Sequence, residues 1–203
     1  MATYVPQLNE YSPDNIHTDY RYITHKGNYY NMPNCVRYAY GRWWCITGVE
    51  PTGLLWLGNG EDWFGNCTAY PKAQAGTSGC VPKLGAIACF ADGPYSGLGH
   101  VSVVEKIYSD GAVLFSNSAW GGDWFYLKCG YPSDDYHGFK AHGYYCYESA
   151  YRFQGFIYLP DSYDPPDPDP DPPDPGPDPR PPRPPRPFGL NKPLWFYCKR
   201  RPF

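Results

Sequence analysis

The sequence predicts an α+β domain over residues 1–160, followed by a proline-rich spacer and an end segment too short to bury a core alone. One helical segment near residue 35 precedes several short strand-like segments up to residue 158, which is the element order of an α+β fold. Fourteen of the 25 prolines fall within residues 165–187. The length of 203 residues fits one domain with an appendage.

The first predicted helix begins after Asn34, a residue type that caps helix N-termini. The apolar positions that follow recur at i, i+3, i+4 and i+7, and they are Val36, Ala39, Tyr40 and Trp43. Gly48 and Pro51 predict the end of this helix. A second, short helix is expected around residues 61–64, and residues 1–33 are expected to be an irregular lead-in.

Four segments have the composition of β-strands. Residues 85–90 form a short apolar run, residues 100–107 are β-branched and partly alternating, and residues 153–158 predict a final strand. The turn signal Ser109-Asp110-Gly111 is followed by residues 112–117, which predict a return strand. Residues 100–117 therefore predict a β-hairpin.

The tail divides into two parts. Residues 161–187 predict a polyproline II linker because proline lacks an N–H and has a fixed φ. It is interpreted either as a solvated spacer or as a docking arm, since its Arg-Pro-Pro-Arg repeats fit aromatic-lined grooves. Residues 188–203 combine aromatic side chains with cations. They predict an anchor peptide that packs on its own domain, a partner subunit or a cell surface.

Composition argues against several classes of protein. No run approaches 18 consecutive apolar residues, so no transmembrane helix is expected. The first ten residues show neither a basic nor an apolar region, so no signal peptide is expected. A net charge of −3 does not suit electrostatic binding of nucleic acid. Seven cysteines besides Cys35 allow up to three disulfides or reduced thiols throughout, and their spacing does not favour zinc.

Three residues occur in the order that a thiol hydrolase needs. Cys35 would lie at a helix N-terminus, where backbone dipoles lower the pKa of a thiol. His100 would open a strand, and Asn117 would end the partner strand, close enough to accept a hydrogen bond from the imidazole. These are the roles of a Cys–His–Asn triad. Each residue also has a purely structural interpretation. Cys35 would be a buried small residue, His100 a histidine at a strand edge and Asn117 a turn former.

Five segments between residues 34 and 122 carry the motifs of one family. They read Asn-Cys-Val-Arg-Tyr-Ala-Tyr-Gly-Arg (34–42), Gly-Asn-Gly-Glu-Asp-Trp-Phe (58–64), Pro-Lys-Leu-Gly-Ala-Ile-Ala (82–88), Gly-His-Val-Ser-Val-Val-Glu (99–105) and Ser-Asn-Ser-Ala-Trp-Gly (116–121). Together they resemble the CHAP domains, the cysteine/histidine-dependent amidohydrolases and peptidases of bacterial and phage peptidoglycan hydrolases. The resemblance covers about residues 1–160.

This resemblance implies a papain-like fold and a thiol mechanism. Cys35 would attack an amide carbonyl, with its own backbone N–H in the oxyanion hole, and His100 would exchange the proton. Asn34 and Trp120 would line the substrate groove, with core packing as the alternative role of Trp120. No cofactor or metal is expected.

The sequence departs from the family at the third catalytic position. Many relatives carry a carboxylate where Asn117 falls, and an amide can orient an imidazole without stabilising its charged form. Ser116 and Ser118 are nearby alternatives for this role. Some relatives bind calcium near the N-terminus, but Asp14 and Asp19 are too sparse to predict such a site.

The function expected from the resemblance is hydrolysis of bacterial peptidoglycan by a phage lysin, either an endolysin or a virion-associated enzyme. Its expected location is the virion, or the host cytoplasm before release to the wall, with a phage tail protein as a partner of the tail. One alternative is a non-catalytic virion or wall-binding module. Another is a thiol endopeptidase of the NlpC/P60 type, with which Asn34-Cys35-Val36 and Asn117 disagree. The choice between amidase and endopeptidase action is left open.

Overall fold

The computed structural model describes residues 4–8, 32–54, 57–92, 98–120, 122–132, 139–141 and 151–160. All of them lie within the larger of two compact units, Met1–Asp171. The linker predicted over residues 161–187 and the anchor peptide predicted over residues 188–203 lie outside the described residues, as does most of the lead-in. In the described part of the chain, no helix has the length and apolar character needed to span a bilayer.

Helix α1 spans Cys35–Thr47 and confirms the first predicted helix. The Asn34 side-chain oxygen accepts a hydrogen bond from the Arg37 N–H at 3.1 Å, which satisfies one of the unpaired donors of the first turn. At the other end Gly48 has a φ of +71°, and its N–H donates to the Trp44 carbonyl at 2.9 Å. Glycine adopts this left-handed conformation without steric cost, so the helix ends where the sequence predicts.

The second predicted helix is a compound turn. A 3₁₀ helix over Gly60–Asp62 leads directly into a single α-helical turn, α2, over Trp63–Asn66. The Asp62 carboxylate accepts from the Asn59 N–H at 2.9 Å and closes the start of the turn. Another 3₁₀ turn, which the sequence did not predict, covers Thr52–Leu54.

Within the described ranges, seven strands form one sheet in the order β1-β7-β2-β3-β4-β5-β6, and each neighbouring pair is antiparallel. Their bounds are β1 Lys72–Gln74, β2 Ile87–Asp92, β3 His100–Ile107, β4 Val113–Asn117, β5 Tyr126–Pro132, β6 Phe139–Ala141 and β7 Tyr151–Ile157. The four predicted strands are β2, β3, β4 and β7, and the predicted hairpin is β3–β4. One helix followed by antiparallel strands is the predicted α+β order.

Alternate residues of the central strands pack into two separate apolar clusters, as expected for a sheet covered on both faces. Val101 and Val103 lie in the cluster that contains the α1 residues Ala39 and Trp43. The other cluster contains residues of β2, β3, β4 and β7, and it includes Ala88, Phe90, Val104, Phe115, Phe153 and Phe156. The Trp43 indole N–H donates to the Gly85 carbonyl at 2.6 Å and joins α1 to the start of β2.

A buried ion pair lies between α1 and the sheet. The Arg42 Nε lies 2.8 Å from an oxygen of Glu105, whose side chain is fully buried. The same carboxylate accepts four further hydrogen bonds, from Arg42 Nη2 at 2.9 Å, Tyr4 Oη at 2.8 Å, the Gln7 N–H at 2.9 Å and Ser116 Oγ at 2.6 Å. Pairing and hydrogen bonding are what make a buried carboxylate tolerable. The network also attaches residues 4–8 to the domain.

No disulfide joins the six described cysteines, which are Cys35, Cys45, Cys67, Cys80, Cys89 and Cys129. Four of them are buried, while Cys35 and Cys45 are partly exposed. Of the alternatives left open by the sequence, reduced thiols describe these six positions, and Cys146 and Cys198 lie outside the described residues.

Candidate active site

A cleft of about 360 Å³ opens where the first turn of α1 meets the start of β3. Four of the five predicted site residues line it, and they are Asn34, Cys35, His100 and Trp120. The fifth, Asn117, is buried behind His100 and contacts its ring. Tyr126, Tyr151 and Asn59 complete the polar and aromatic lining. The described residues that line the cleft are uncharged at neutral pH.

Cys35 is the first residue of α1 and is partly exposed at the cleft. Burial raises the pKa of its thiol, while backbone hydrogen bonds at Val101, Val36 and Cys35 itself act in the opposite direction. The predicted net lowering of the Cys35 pKa is therefore wrong, because the helix start lies against β3 instead of in water. The contact with Val101 places the sulfur beside the residue that follows His100.

His100 is the first residue of β3 and is 7% exposed. Burial lowers the pKa of His100 from 6.5 to about 4. The hydrogen bond that the ring donates to Asn117 acts to raise this pKa, and the positive charge of Lys128 acts to lower it. The imidazole ring also packs near the Tyr151 ring, with 5.8 Å between centroids. At neutral pH the imidazole is uncharged, so it is able to accept a proton.

Asn117 fixes the tautomer of the imidazole. Its side-chain Nδ2 donates to the Phe115 carbonyl at 3.1 Å and to the Tyr126 carbonyl at 3.5 Å, which orients the amide. The amide oxygen Oδ1 then lies 2.9 Å from His100 Nε2. Because an amide oxygen only accepts, Nε2 carries the proton and Nδ1 is left as the basic nitrogen.

The two serines beside Asn117 have other partners. Ser116 Oγ donates to the buried Glu105 carboxylate. Ser118 Oγ donates to the Asp123 carbonyl at 3.2 Å and accepts from the Asn34 N–H at 3.1 Å. The Ser118 contact thus joins the end of β4 to the cap of α1, and Asn117 is the residue of the three that contacts His100.

Glycines allow the 3₁₀ turn to lie directly on the start of β3. A Cβ on Gly60 would lie 2.7 Å from the His100 backbone nitrogen, closer than real Cβ contacts. Gly99 has a φ of +57°, and a Cβ there would lie 2.5 Å from the Glu61 backbone nitrogen. The Glu61 N–H donates to the Leu98 carbonyl at 3.2 Å. The conformation of the chain entering His100 is therefore set by the segment that sequence analysis singled out at residues 58–64.

Trp120 is 66% exposed at the edge of the cleft, so core packing, the alternative considered from the sequence, does not describe it. Asn59, Tyr126 and Tyr151 are lining residues that the sequence alone does not predict. Tyr126 begins a strand that was not predicted, and Tyr151 lies two residues before the predicted start of the last strand. Within the described ranges, no group of three or more His, Cys, Asp or Glu side chains is placed to hold a metal ion.

The family model of the CHAP domain matches residues 25–119, which confirms the resemblance carried by the motifs. A Streptococcus mutans protein named "Putative hydrolase" is 37% identical over 70 residues, covering 34% of this chain and 30% of the relative. The "Probable autolysin LDP" of Staphylococcus aureus is 34% identical over 101 residues, which cover 49% of this chain and 32% of the autolysin.

Among solved structures, an N-acetylmuramoyl-L-alanine amidase from Staphylococcus aureus aligns with a TM-score of 0.39 and 23% identity. The alignment covers 52% of this chain and 29% of the amidase. The chain thus spans less than a third of the length of each of these three proteins.

Proposed function

We propose that the protein is a peptidoglycan hydrolase that cleaves an amide bond of the bacterial cell wall, and the match of residues 25–119 to the CHAP domain family supports this proposal. The single observation that carries the proposal is the cleft itself. A thiol at a helix N-terminus and an imidazole with a fixed tautomer line the same cavity, and an amide holds the imidazole from behind.

In the proposed mechanism Cys35 Sγ attacks the carbonyl carbon of the scissile amide while His100 Nδ1 accepts the thiol proton. The Cys35 backbone N–H stabilises the oxyanion that forms on the carbonyl oxygen. Collapse of this intermediate breaks the C–N bond, and His100 returns the proton to the leaving amine. Water, deprotonated by His100, then attacks the thioester and releases the carboxylic acid and the free thiol.

The resting pair in this mechanism is neutral. Burial raises the pKa of Cys35 and lowers that of His100, and both shifts disfavour separated charges. Asn117 orients the ring but contributes no negative charge to stabilise an imidazolium, unlike the carboxylate of many relatives. Proton transfer to His100 is therefore expected to accompany the attack of sulfur and not to precede it.

The lining of the cleft supports a substrate with neutral polar groups. Trp120, Tyr126 and Tyr151 supply aromatic faces, and Asn34 and Asn59 supply amides. Aromatic faces with nearby hydrogen-bonding groups suit sugars and peptide bonds. We assign substrate contacts to Asn34 and Trp120 on this basis.

Digestion of purified peptidoglycan by the full chain tests the proposal. We expect soluble fragments whose new ends are one amine and one carboxylate, identified by mass spectrometry. A free amine on L-alanine with an intact lactyl group on muramic acid identifies amidase action, and new ends within the stem or cross-bridge identify endopeptidase action. Release of reducing sugars without new amines would contradict the proposal, since it would indicate cleavage between sugars.

Activity is expected to depend on pH through His100. The base is competent only when neutral, so activity is retained above its pKa of about 4 and falls as pH drops through that value. An ordinary histidine would lose activity near pH 6.5. The measurement is kcat/KM for solubilised peptidoglycan between pH 3.5 and 8, with near-UV circular dichroism to confirm folding, because protonation of His100 below pH 6.5 also favours the unfolded chain. Half-loss near pH 6.5 in folded protein would contradict the assignment.

We propose, further, that the enzyme is a phage lysin, either carried on the virion or produced in the host cytoplasm and released to the wall, with the tail as the segment that docks on a phage tail protein. Support comes from the sequence alone, through the linker of residues 161–187 and the aromatic and basic residues of 188–203. If the enzyme is virion-associated, mass spectrometry of purified virions is expected to detect the chain. If it is an endolysin, the chain is expected in the infected-cell lysate but not in the virions. Absence from both would contradict a phage lysin and favour a bacterial hydrolase.

The two alternatives are less well supported. A non-catalytic wall-binding module has no use for a thiol and a buried, oriented imidazole in one cleft. The NlpC/P60 type usually has a histidine as the third residue, where the His100 ring here contacts Asn117.

A further inference from the structure

We propose that Glu105 is a positioning residue: the β-bulge at which it lies sets the register of β4 so that Asn117 meets His100. The inference rests on the proposed function, because the position of Asn117 affects a reaction only where His100 acts as a base.

The register shows what the bulge does. Val103 pairs with Ser116 and Val104 with Phe115, but the next pair is Lys106 with Leu114, so Glu105 is the extra residue of β3. Continuing the first register by one step puts Asn117 opposite Ser102. Residues paired across a sheet lie on the same face, and so do residues two apart in one strand. Asn117 therefore shares a face with His100.

Without the extra residue, the register of Lys106 and Leu114 would continue along both strands. Asn117 would then pair with Val103, on the opposite face from His100, because a slip of one residue moves every side chain to the other face. The packing of the β3 side chains on either side of Glu105 is consistent with this change of face. Val104 and Ile107 pack with the same cluster although they lie three residues apart, whereas Val103 packs in the other cluster.

The Glu105 carboxylate holds the bulge from inside. One oxygen accepts from Arg42 Nε at 2.8 Å and from Ser116 Oγ at 2.6 Å, and the other from Arg42 Nη2 at 2.9 Å. Arg42 lies on the helix that begins with Cys35, and Ser116 directly precedes Asn117. A single buried carboxylate thus joins the three elements that carry the thiol, the imidazole and the amide.

Two matched substitutions separate positioning from simple stabilisation. Ser116→Ala removes the hydroxyl that joins Glu105 to β4. Tyr4→Phe removes another hydroxyl that donates to the same carboxylate and contacts the Val104 and Glu105 carbonyls, so all its hydrogen bonds go to β3 and the link to β4 is kept. Both leave the Arg42 pairing in place. We expect Ser116→Ala to lower kcat roughly tenfold with KM within about twofold, and Tyr4→Phe to change neither, since small displacements of an orienting group reduce catalysis strongly.

A spectroscopic measurement on the full chain makes the test independent of turnover. The proton on His100 Nε2 is expected to give a protected ring N–H resonance, assigned by its loss in His100→Ala. Ser116→Ala should shift or broaden this resonance, and Tyr4→Phe should leave it unchanged. Should Ser116→Ala not fold, Ser116→Cys keeps a weaker donor and should show a smaller change in the same direction.

Equal effects of Ser116→Ala and Tyr4→Phe on kcat and on the ring N–H resonance would overturn the proposal. So would an unchanged resonance in a folded Ser116→Ala variant. Failure of the proposed function would look different. The unchanged chain would then not hydrolyse peptidoglycan, or Cys35→Ala would hydrolyse it equally well, whatever the resonance does.

Discussion

Replacing Cys35 by alanine is expected to abolish hydrolysis of peptidoglycan by the full chain while its fold is retained. The change removes the only atom that forms the covalent intermediate, and loss of a nucleophile in such sites costs at least about 10⁴-fold in kcat. Alanine is the best helix former and Cys35 is partly exposed, so little stability should be lost. Loss of turbidity of a cell-wall suspension measures the activity.

Cys45 provides the matched control. It is also a partly exposed cysteine on α1, and Cys45→Ala should retain full activity. His100→Ala should be as inactive as Cys35→Ala, and the double variant should be no worse, because the two groups act as a unit. Asn117→Ala should cost less, roughly tenfold to hundredfold, since it only orients the ring. Lysis by folded Cys35→Ala at the rate of the unchanged protein would refute the thiol mechanism.

Replacing Glu105 by alanine is expected to reduce the free energy of unfolding by about 3–5 kcal/mol, the usual cost of leaving a buried charge without its partner. The side chain is fully buried and Arg42 is 2% exposed, so water cannot replace the carboxylate. Tyr4, Gln7 and Ser116 would lose their acceptor as well. Urea unfolding followed by tryptophan fluorescence measures the change.

Lys106→Ala is the neighbouring control. Lys106 lies next to Glu105 in β3 but is only partly buried, with its ammonium 4.7 Å from the centroid of the Tyr108 ring. Its loss should cost at most about 1 kcal/mol. The double change Glu105→Leu with Arg42→Met removes both charges and should recover part of the loss. A cost below about 1 kcal/mol for Glu105→Ala would contradict the role assigned to this network.

The features predicted correctly are those with local causes. A capping side chain, an apolar stripe and a terminal glycine predict α1, and a turn signal between β-branched runs predicts the β3–β4 hairpin. The same hairpin explains why His100 and Asn117, 17 positions apart, could be paired from the sequence. Cys35 was placed at the cleft for an equally local reason, as the residue that follows the cap of α1.

The strands that were missed form because of their neighbours. β1 and β6 are three residues long, too short for any pattern of alternation. β5 contains Lys128 and Gly130 and ends at Pro132, which are residues that strands disfavour. It forms by pairing along all five residues of β4. Because β5 was not predicted, the sequence did not show that Tyr126 lines the cleft or that its carbonyl accepts a hydrogen bond from Asn117.

Two properties of the site arise only in the folded chain. The sequence shows Cys35 at a helix N-terminus but not the strand packed against it, so the direction of its pKa shift was predicted wrongly. The bulge at Glu105 has no signature in a run of β-branched residues, and simple alternation through residues 100–107 would misplace every side chain beyond it. Both depend on contacts between residues distant in sequence.

Alkylation of Cys35 tests the central claim most directly. The full chain is treated with iodoacetamide for increasing times, peptide mapping by mass spectrometry gives the fraction modified at each cysteine, and the remaining hydrolysis of peptidoglycan is measured on the same samples. We expect activity to fall in proportion to the fraction of Cys35 modified, and modification of Cys45 to have no effect. Undiminished activity in folded protein whose Cys35 is fully alkylated would contradict it.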